Sequence, residues 1–190
     1  MDALINSTLL VFVSEMGDKT QLLALMLACC FPGRGWAIMG GIFVATLLNH
    51  ALASGLGNWL ALVIPAQVMT WILAATFFGF AVWVLIPDKD GTGGLPLQKG
   101  AFLTTAITFF IAEMGDKTQL ATVALGAKYS DFAMVTLGST LGMMASNGLA
   151  VAFGPRLMKR LPMKWVRIAA SLLFVAFGLG VLLGLHQNLN

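Results

Sequence analysis

Six apolar stretches separated by short polar connections set the plan of this chain. They run over residues 4–31, 36–56, 68–86, 101–127, 132–153 and 165–185. Each is about 20 residues or longer, the length a helix needs to cross hydrocarbon. Pro32-Gly33-Arg34-Gly35 ends the first with turn-forming residues. Residues 57–67 read as an uncharged connection holding Trp59 and Pro65, 128–131 as a tight turn, and 154–164 as a basic loop. The longest polar stretch is 87–99. It divides the chain into residues 1–87, a linker at 88–100, and residues 101–190, with three helices on each side. The expected fold is an all-α membrane protein of six transmembrane helices. Trp36, Trp59, Trp71, Trp83 and Trp165 fall near expected helix ends, where aromatic belts form.

Composition removes the soluble alternatives. The chain of 190 residues is 58% hydrophobic and 10% charged, with a mean hydropathy of +0.88. A soluble domain carries roughly 25% charged residues. The N-terminus has no basic segment and no small-residue cleavage site, so the first helix is expected to insert directly. Much of the net charge of +3 comes from Arg156, Lys159, Arg160, Lys164 and Arg167, in and just beyond one connection. Such a cluster marks a cytoplasmic loop rather than a nucleic-acid surface. Cys29 and Cys30 sit in an apolar run and read as packing residues. The sequence calls for no cofactor and no nucleic acid, and specifies no oligomer.

Charge placement carries the functional signal. The string Glu15-Met16-Gly17-Asp18-Lys19-Thr20-Gln21-Leu22 returns letter for letter 98 residues later, from Glu113 to Leu120. Both copies lie inside apolar runs, and they hold six of the nineteen charged residues. Ionised groups within a membrane cost several kcal/mol each unless they pair or serve a purpose. Asn49 and Asn147 are also 98 apart. The halves are therefore repeats. Three helices is an odd number, so the second half enters from the opposite side, as in transporters whose sites lie at the midplane between inverted repeats. Leaving out the motif lysines, one side receives Arg34, Lys89, Lys99 and the five clustered basic residues, and the other receives Lys128 alone. That bias places both termini outside the cytoplasm.

On a helix, Glu15 and Asp18 share a face, Lys19 can reach Glu15, and Gln21 extends the face beyond Asp18. Gly17 invites a local break of the kind that exposes backbone carbonyls in discontinuous transporter helices. The second half supplies Glu113, Asp116, Gln119 and Gly115 in the same pattern. Carboxylate and amide oxygens suit hard divalent cations. Asn49 and Asp18 each lie 13 residues from the same expected membrane face, about 20 Å deep. Asn49 is therefore expected to join Asp18, and Asn147 to join Asp116. The expected metal set is Glu15, Asp18, Glu113, Asp116, Gln21, Gln119, Asn49 and Asn147. Lys19, Lys117, Thr20, Thr118, Gly17 and Gly115 tune it. The lysines trim the site's negative charge or serve as internal cations. His50, next to Asn49, has no counterpart, since Gly148 holds that place, and reads as a hydrogen-bonded packing residue. Gly138-xxx-Gly142 and Gly180-xxx-Gly184 read as close helix packing.

With all groups ionised, four carboxylates and two lysines leave the pair of motifs at −2. One divalent cation neutralises that charge. Without it, a low-dielectric interior drives the carboxylates to take up protons. Metal and protons then compete for the same groups, as antiport requires.

Two E-x-G-D-K/R-T/S motifs in two three-helix halves resemble the Gdt-type cation/proton exchangers, whose small bacterial members include MneA-type manganese exporters. The resemblance covers the whole chain. It carries onto Glu15, Gly17, Asp18, Lys19 and Thr20, and onto Glu113, Gly115, Asp116, Lys117 and Thr118. It implies a secondary transporter in the inner membrane of a prokaryote, exporting Mn²⁺ or Ca²⁺ against protons. The stretch 87–99 is short and nearly neutral, unlike the long acidic central loop of many eukaryotic members. The residues also admit a divalent-cation channel. A remoter reading is an intramembrane aspartyl protease using Asp18 and Asp116. The extra glutamates and lysines disfavour it, because such enzymes share one proton between two close carboxylates.

Overall fold

The computed structural model describes residues 1–86, 100–158 and 163–187, and within them the chain forms eight helices and no strand. The helices are α1 (Asp2–Glu15), α2 (Lys19–Cys30), α3 (Gly35–Val63), α4 (Ala66–Trp83), α5 (Gly100–Glu113), α6 (Lys117–Tyr129), α7 (Phe132–Met158) and α8 (Met163–Gln187). The count exceeds six because each motif breaks its apolar run in two. The stretch 4–31 is α1 and α2, and 101–127 falls on α5 and α6. Among the described residues, three helical stretches are long and apolar enough to cross a membrane: Gly35–Val63, Ala66–Trp83 and Lys164–Gly184.

Three connections are shorter than the sequence suggests. Residues 57–63 continue α3, so the turn to α4 is only 64–65. Gly57 opens the expected connection, yet here it lies within α3 and lets helices touch. A Cβ at Gly57 would lie 2.0 Å from the Val123 carbonyl oxygen on α6. Likewise α7 runs on to Met158 and α8 starts at Met163, shrinking the basic loop. Lys89, Lys99, Lys159, Arg160 and the 87–99 stretch lie outside the described residues. The expected turn at 128–131 is shortened to 130–131, because α6 runs on to Tyr129. Ser130 takes the left-handed conformation (φ 49°) and Asp131 Oδ1 caps α7 by accepting from the Met134 N–H at 3.1 Å.

The halves interlock. α3 packs on α5 and α6, α7 packs on α1 and α2, and α4 pairs with α8. Gly138 and Gly142 on α7 meet the Leu4 and Thr8 carbonyls of α1, where a Cβ would come within 2.4 and 2.5 Å. These glycines provide the expected close crossing. Gly180 and Gly184 do not, since a Cβ at either meets nothing within 4 Å.

Polarity runs opposite to that of a soluble protein. The outer face shows Leu52, Leu62, Leu141, Leu183 and all five tryptophans, a surface for the lipid bilayer. Buried inside are Thr46, Asn49, His50 and Ser54 on α3, Ser139, Thr140, Ser146 and Asn147 on α7, and the motif residues. Apolar clusters flank this polar centre. One joins Phe77 and Phe80 of α4 with Phe174 and Phe177 of α8, and the other joins Leu27, Ile38, Ile42 and Phe109. Packing on both sides holds the polar centre in place.

Candidate metal centre

Both motifs adopt the same broken-helix geometry. α1 ends at Glu15, Gly17 takes φ 81°, Asp18 is extended (φ −78°, ψ 167°), and α2 begins at Lys19. In the second copy α5 ends at Glu113, Gly115 takes φ 75°, Asp116 has φ −77° and ψ 164°, and α6 begins at Lys117. A residue with a Cβ pays about 1–2 kcal/mol in that left-handed region, and glycine does not. The breaks close through Asp18 N–H to the Glu15 carbonyl and Asp116 N–H to the Glu113 carbonyl, both 3.1 Å.

The glutamines hold these breaks. Gln21 Oε1 accepts from the Gly17 N–H at 2.8 Å, and Gln119 Oε1 accepts from the Gly115 N–H at 2.6 Å. This is a capping box shifted by one residue, with Gln at the third helical position reaching back over the start. Asp18 and Asp116 occupy the N-cap positions but their side chains cap nothing. Their carboxylates go elsewhere. Lys19 Nζ pairs with Asp116 Oδ1 at 2.9 Å, and Lys117 Nζ pairs with Asp18 Oδ1. Each lysine thus crosses to the other copy instead of reaching the glutamate four residues before it.

The glutamates are oriented by threonines. Thr20 Oγ1 donates to Glu15 Oε2 at 2.6 Å, and Thr118 Oγ1 donates to Glu113 Oε2 at 3.2 Å. In both residues Oε1 is buried without a hydrogen-bond partner among the described residues, as is Asp116 Oδ2. Glu15, Glu113 and Asp116 each place one carboxylate oxygen within 4.8 Å of the others. Oxygens on opposite sides of a hard divalent cation lie about 4–5 Å apart. The cluster therefore has the donors and the spacing for one such ion. Asp18 is not in the cluster.

The remaining expected ligands divide. Gln21 is committed to the Gly17 N–H, and its Nε2 donates to the Ser146 carbonyl at 2.9 Å and to Ser146 Oγ at 2.8 Å. Asn49 Nδ2 donates to the Phe110 carbonyl of α5, the helix that carries Glu113, at 3.1 Å. Asn147 Nδ2 donates to the Met143 carbonyl one turn back at 3.2 Å. Both asparagines keep a buried Oδ1 with no hydrogen-bond partner among the described residues. His50 is fully buried, and neither ring nitrogen has a hydrogen-bond partner there, unlike the bonded histidine expected.

Two residues near the site were not singled out. Ser146 anchors Gln21, and only its position one residue before Asn147 hinted at it. Arg167 reads in sequence as a loop charge, yet it is half-buried and lines a small pocket with Ser14, Gly17, Asp18 and Lys117. Its offset from the basic loop, one turn into α8, was the available signal.

The family profile described as "Divalent cation/proton antiporter GDT1" matches residues 3–92 and 101–188. A Vibrio cholerae protein named "Putative manganese exporter" is 41% identical over 181 residues, covering 94% of this chain and 90% of its own length. "GDT1-like protein 4" of Arabidopsis thaliana is 29% identical over 217 residues, covering 92% of each chain. A GDT1-like protein of Synechocystis is 29% identical over 191 residues, covering 89% of this chain and 91% of its own length. No solved structure matches.

Proposed function

The chain belongs to the GDT1 family of divalent cation/proton antiporters, and from that premise we propose that it exports Mn²⁺ from the cytosol in exchange for protons, through one site shared by both motif copies. It is a membrane transporter and not an enzyme. The observation that carries the shared site is the meeting of Glu15, Glu113 and Asp116, drawn from both halves, with a free buried oxygen on each. Asn49 Oδ1 and Asn147 Oδ1 are the reserve donors in this reading. Gln21 and Gln119 act as caps, and Thr20 and Thr118 aim the glutamates. The protease reading loses support because each aspartate is paired with a lysine from the other copy.

Manganese is favoured over calcium by the name of the Vibrio cholerae relative, while the all-oxygen donor set suits hard divalent cations as a class. The membrane arrangement that fits is two inverted three-span halves, residues 1–87 and 101–190, with α1/α2 and α5/α6 as the broken spans. Both termini then face away from the cytoplasm of a bacterial inner membrane. Export follows if Mn²⁺ reaches the carboxylates from the cytosol and protons replace it from outside. A pair of motifs at −2 is neutralised by one Mn²⁺ or by two protons, and an exchange of two protons per Mn²⁺ is electroneutral.

Proteoliposomes test this directly. Mn²⁺ flux should drive proton movement in the opposite direction, and Mn²⁺ should outcompete Ca²⁺ and Mg²⁺. Metal flux that ignores an imposed pH gradient would reject antiport and favour a channel. Coupled flux that changes with clamped membrane potential would retain antiport but reject the two-proton count.

A further inference from the structure

Arg167 lines a small pocket with a motif aspartate. It sits in the second turn of α8, half-buried, beside Ser14, Gly17, Asp18 and Lys117. The space they share is about 10 Å³, at the lower limit for a single water and too small for a hydrated metal ion. Asp18 is fully enclosed and ion-paired with Lys117. The residue 98 positions before Arg167 is Met69, buried in the apolar cluster of α4 and α8. The repeat therefore supplies no arginine at the matching place in the other half. Meanwhile the three free carboxylate oxygens gather around Glu15, Glu113 and Asp116, leaving Asp18 out.

We propose that Arg167 is a positioning residue of the transport site: with Lys117 it keeps Asp18 committed to cations of the protein, so that the divalent substrate is confined to Glu15, Glu113 and Asp116. This rests on the exporter reading above. On that reading the two identical motifs do different jobs. Asp116, whose partner Lys19 is the more exposed lysine, exchanges its ammonium for the metal, while Asp18 stays paired. Without Arg167, the pocket beside Asp18 is lined by one cation, Lys117, rather than two. Asp18 becomes a fourth competing carboxylate, which binds metal more tightly and releases it more slowly.

The test is equilibrium Mn²⁺ binding by the purified full chain, together with transport rates in proteoliposomes. Arg167→Gln should tighten Mn²⁺ binding about tenfold, within the range of effects seen for groups that support metal ligands, and slow maximal transport. Arg167→Lys should restore both. In an Asp18→Asn background, Arg167→Gln should leave Mn²⁺ binding unchanged, because the carboxylate it acts through is gone. A purely structural role would lower the yield of folded protein without tightening binding. Unchanged or weakened Mn²⁺ binding in Arg167→Gln, or an equal effect in the Asp18→Asn background, overturns the proposal. If the unaltered chain itself binds no Mn²⁺, the exporter reading fails first.

Discussion

Lys19 and Lys117 hold the same place in two identical strings, yet 29% of the first side chain is exposed and 5% of the second. The same contrast runs through the copies in other places. Gln21 is fully buried and bonded to Ser146, whereas Gln119 is only partly buried. Met16 is partly buried and Met114 is 59% exposed. Backbone conformation, by contrast, is shared to within a few degrees at both aspartates. Local sequence sets the shape of each break, and the covering helix sets its surroundings. α7 covers the first copy and offers Ser146. The position 98 residues before Ser146 is Leu48 on α3, which is 52% exposed and cannot bond an amide. Symmetry in the motif is thus broken one layer out.

The largest expected effect falls on what the copies share. Glu15→Gln and Glu113→Gln should each reduce Mn²⁺ transport more than about 100-fold while the protein still reaches the membrane, since each removes a ligand and not merely its support. Retained transport with one whole motif neutralised would break the shared-site account.

The lysines sharpen the comparison next. Lys117→Gln removes the ion-pair partner of the enclosed Asp18 carboxylate, leaves Arg167 as the cation beside it, and should cost about 3 kcal/mol of folding stability. Lys19→Gln, whose ion pair is more open, should cost about 1 kcal/mol or less. Thermal unfolding of the purified variants checks the ranking, and equal losses would mean that the difference in burial has no energetic weight.

Much of this arrangement was legible before any coordinates. The apolar runs marked the helical segments, the eight-residue repeat marked the centre, and Gly17 marked the break. Asp-x-x-Gln in each copy is a capping pattern, but next to so many acidic groups the glutamines read as ligands. What the sequence withheld was the direction each helix faces. A spacing of 98 residues relates Asn49 to Asn147 but does not say that α3 lies against α5, where the Asn49 amide finds the Phe110 carbonyl. Gly57 reads as the start of a connection because its other role, close approach to Val123, depends on a partner far away in sequence. Arg167 was hidden by the charge cluster it belongs to.

Two smaller effects separate shared shape from unshared surroundings. Gly17→Ala and Gly115→Ala force a Cβ into the left-handed region and should each cost about 1–2 kcal/mol. Equal losses are expected, and unequal ones would show that the breaks differ in shape after all. Gln21→Ala and Gln119→Ala both remove a cap, for about 1 kcal/mol each. Gln21→Ala should lose about 1 kcal/mol more, because the Ser146 bonds go with it.

The central claim is that one divalent cation is held jointly by both copies. Counting bound Mn²⁺ per purified chain by the loss of free-ion paramagnetic resonance tests it most directly. The account predicts a single high-affinity ion, lost in Glu15→Gln and equally lost in Glu113→Gln. Two ions per chain, with each substitution removing one and sparing the other, would contradict it.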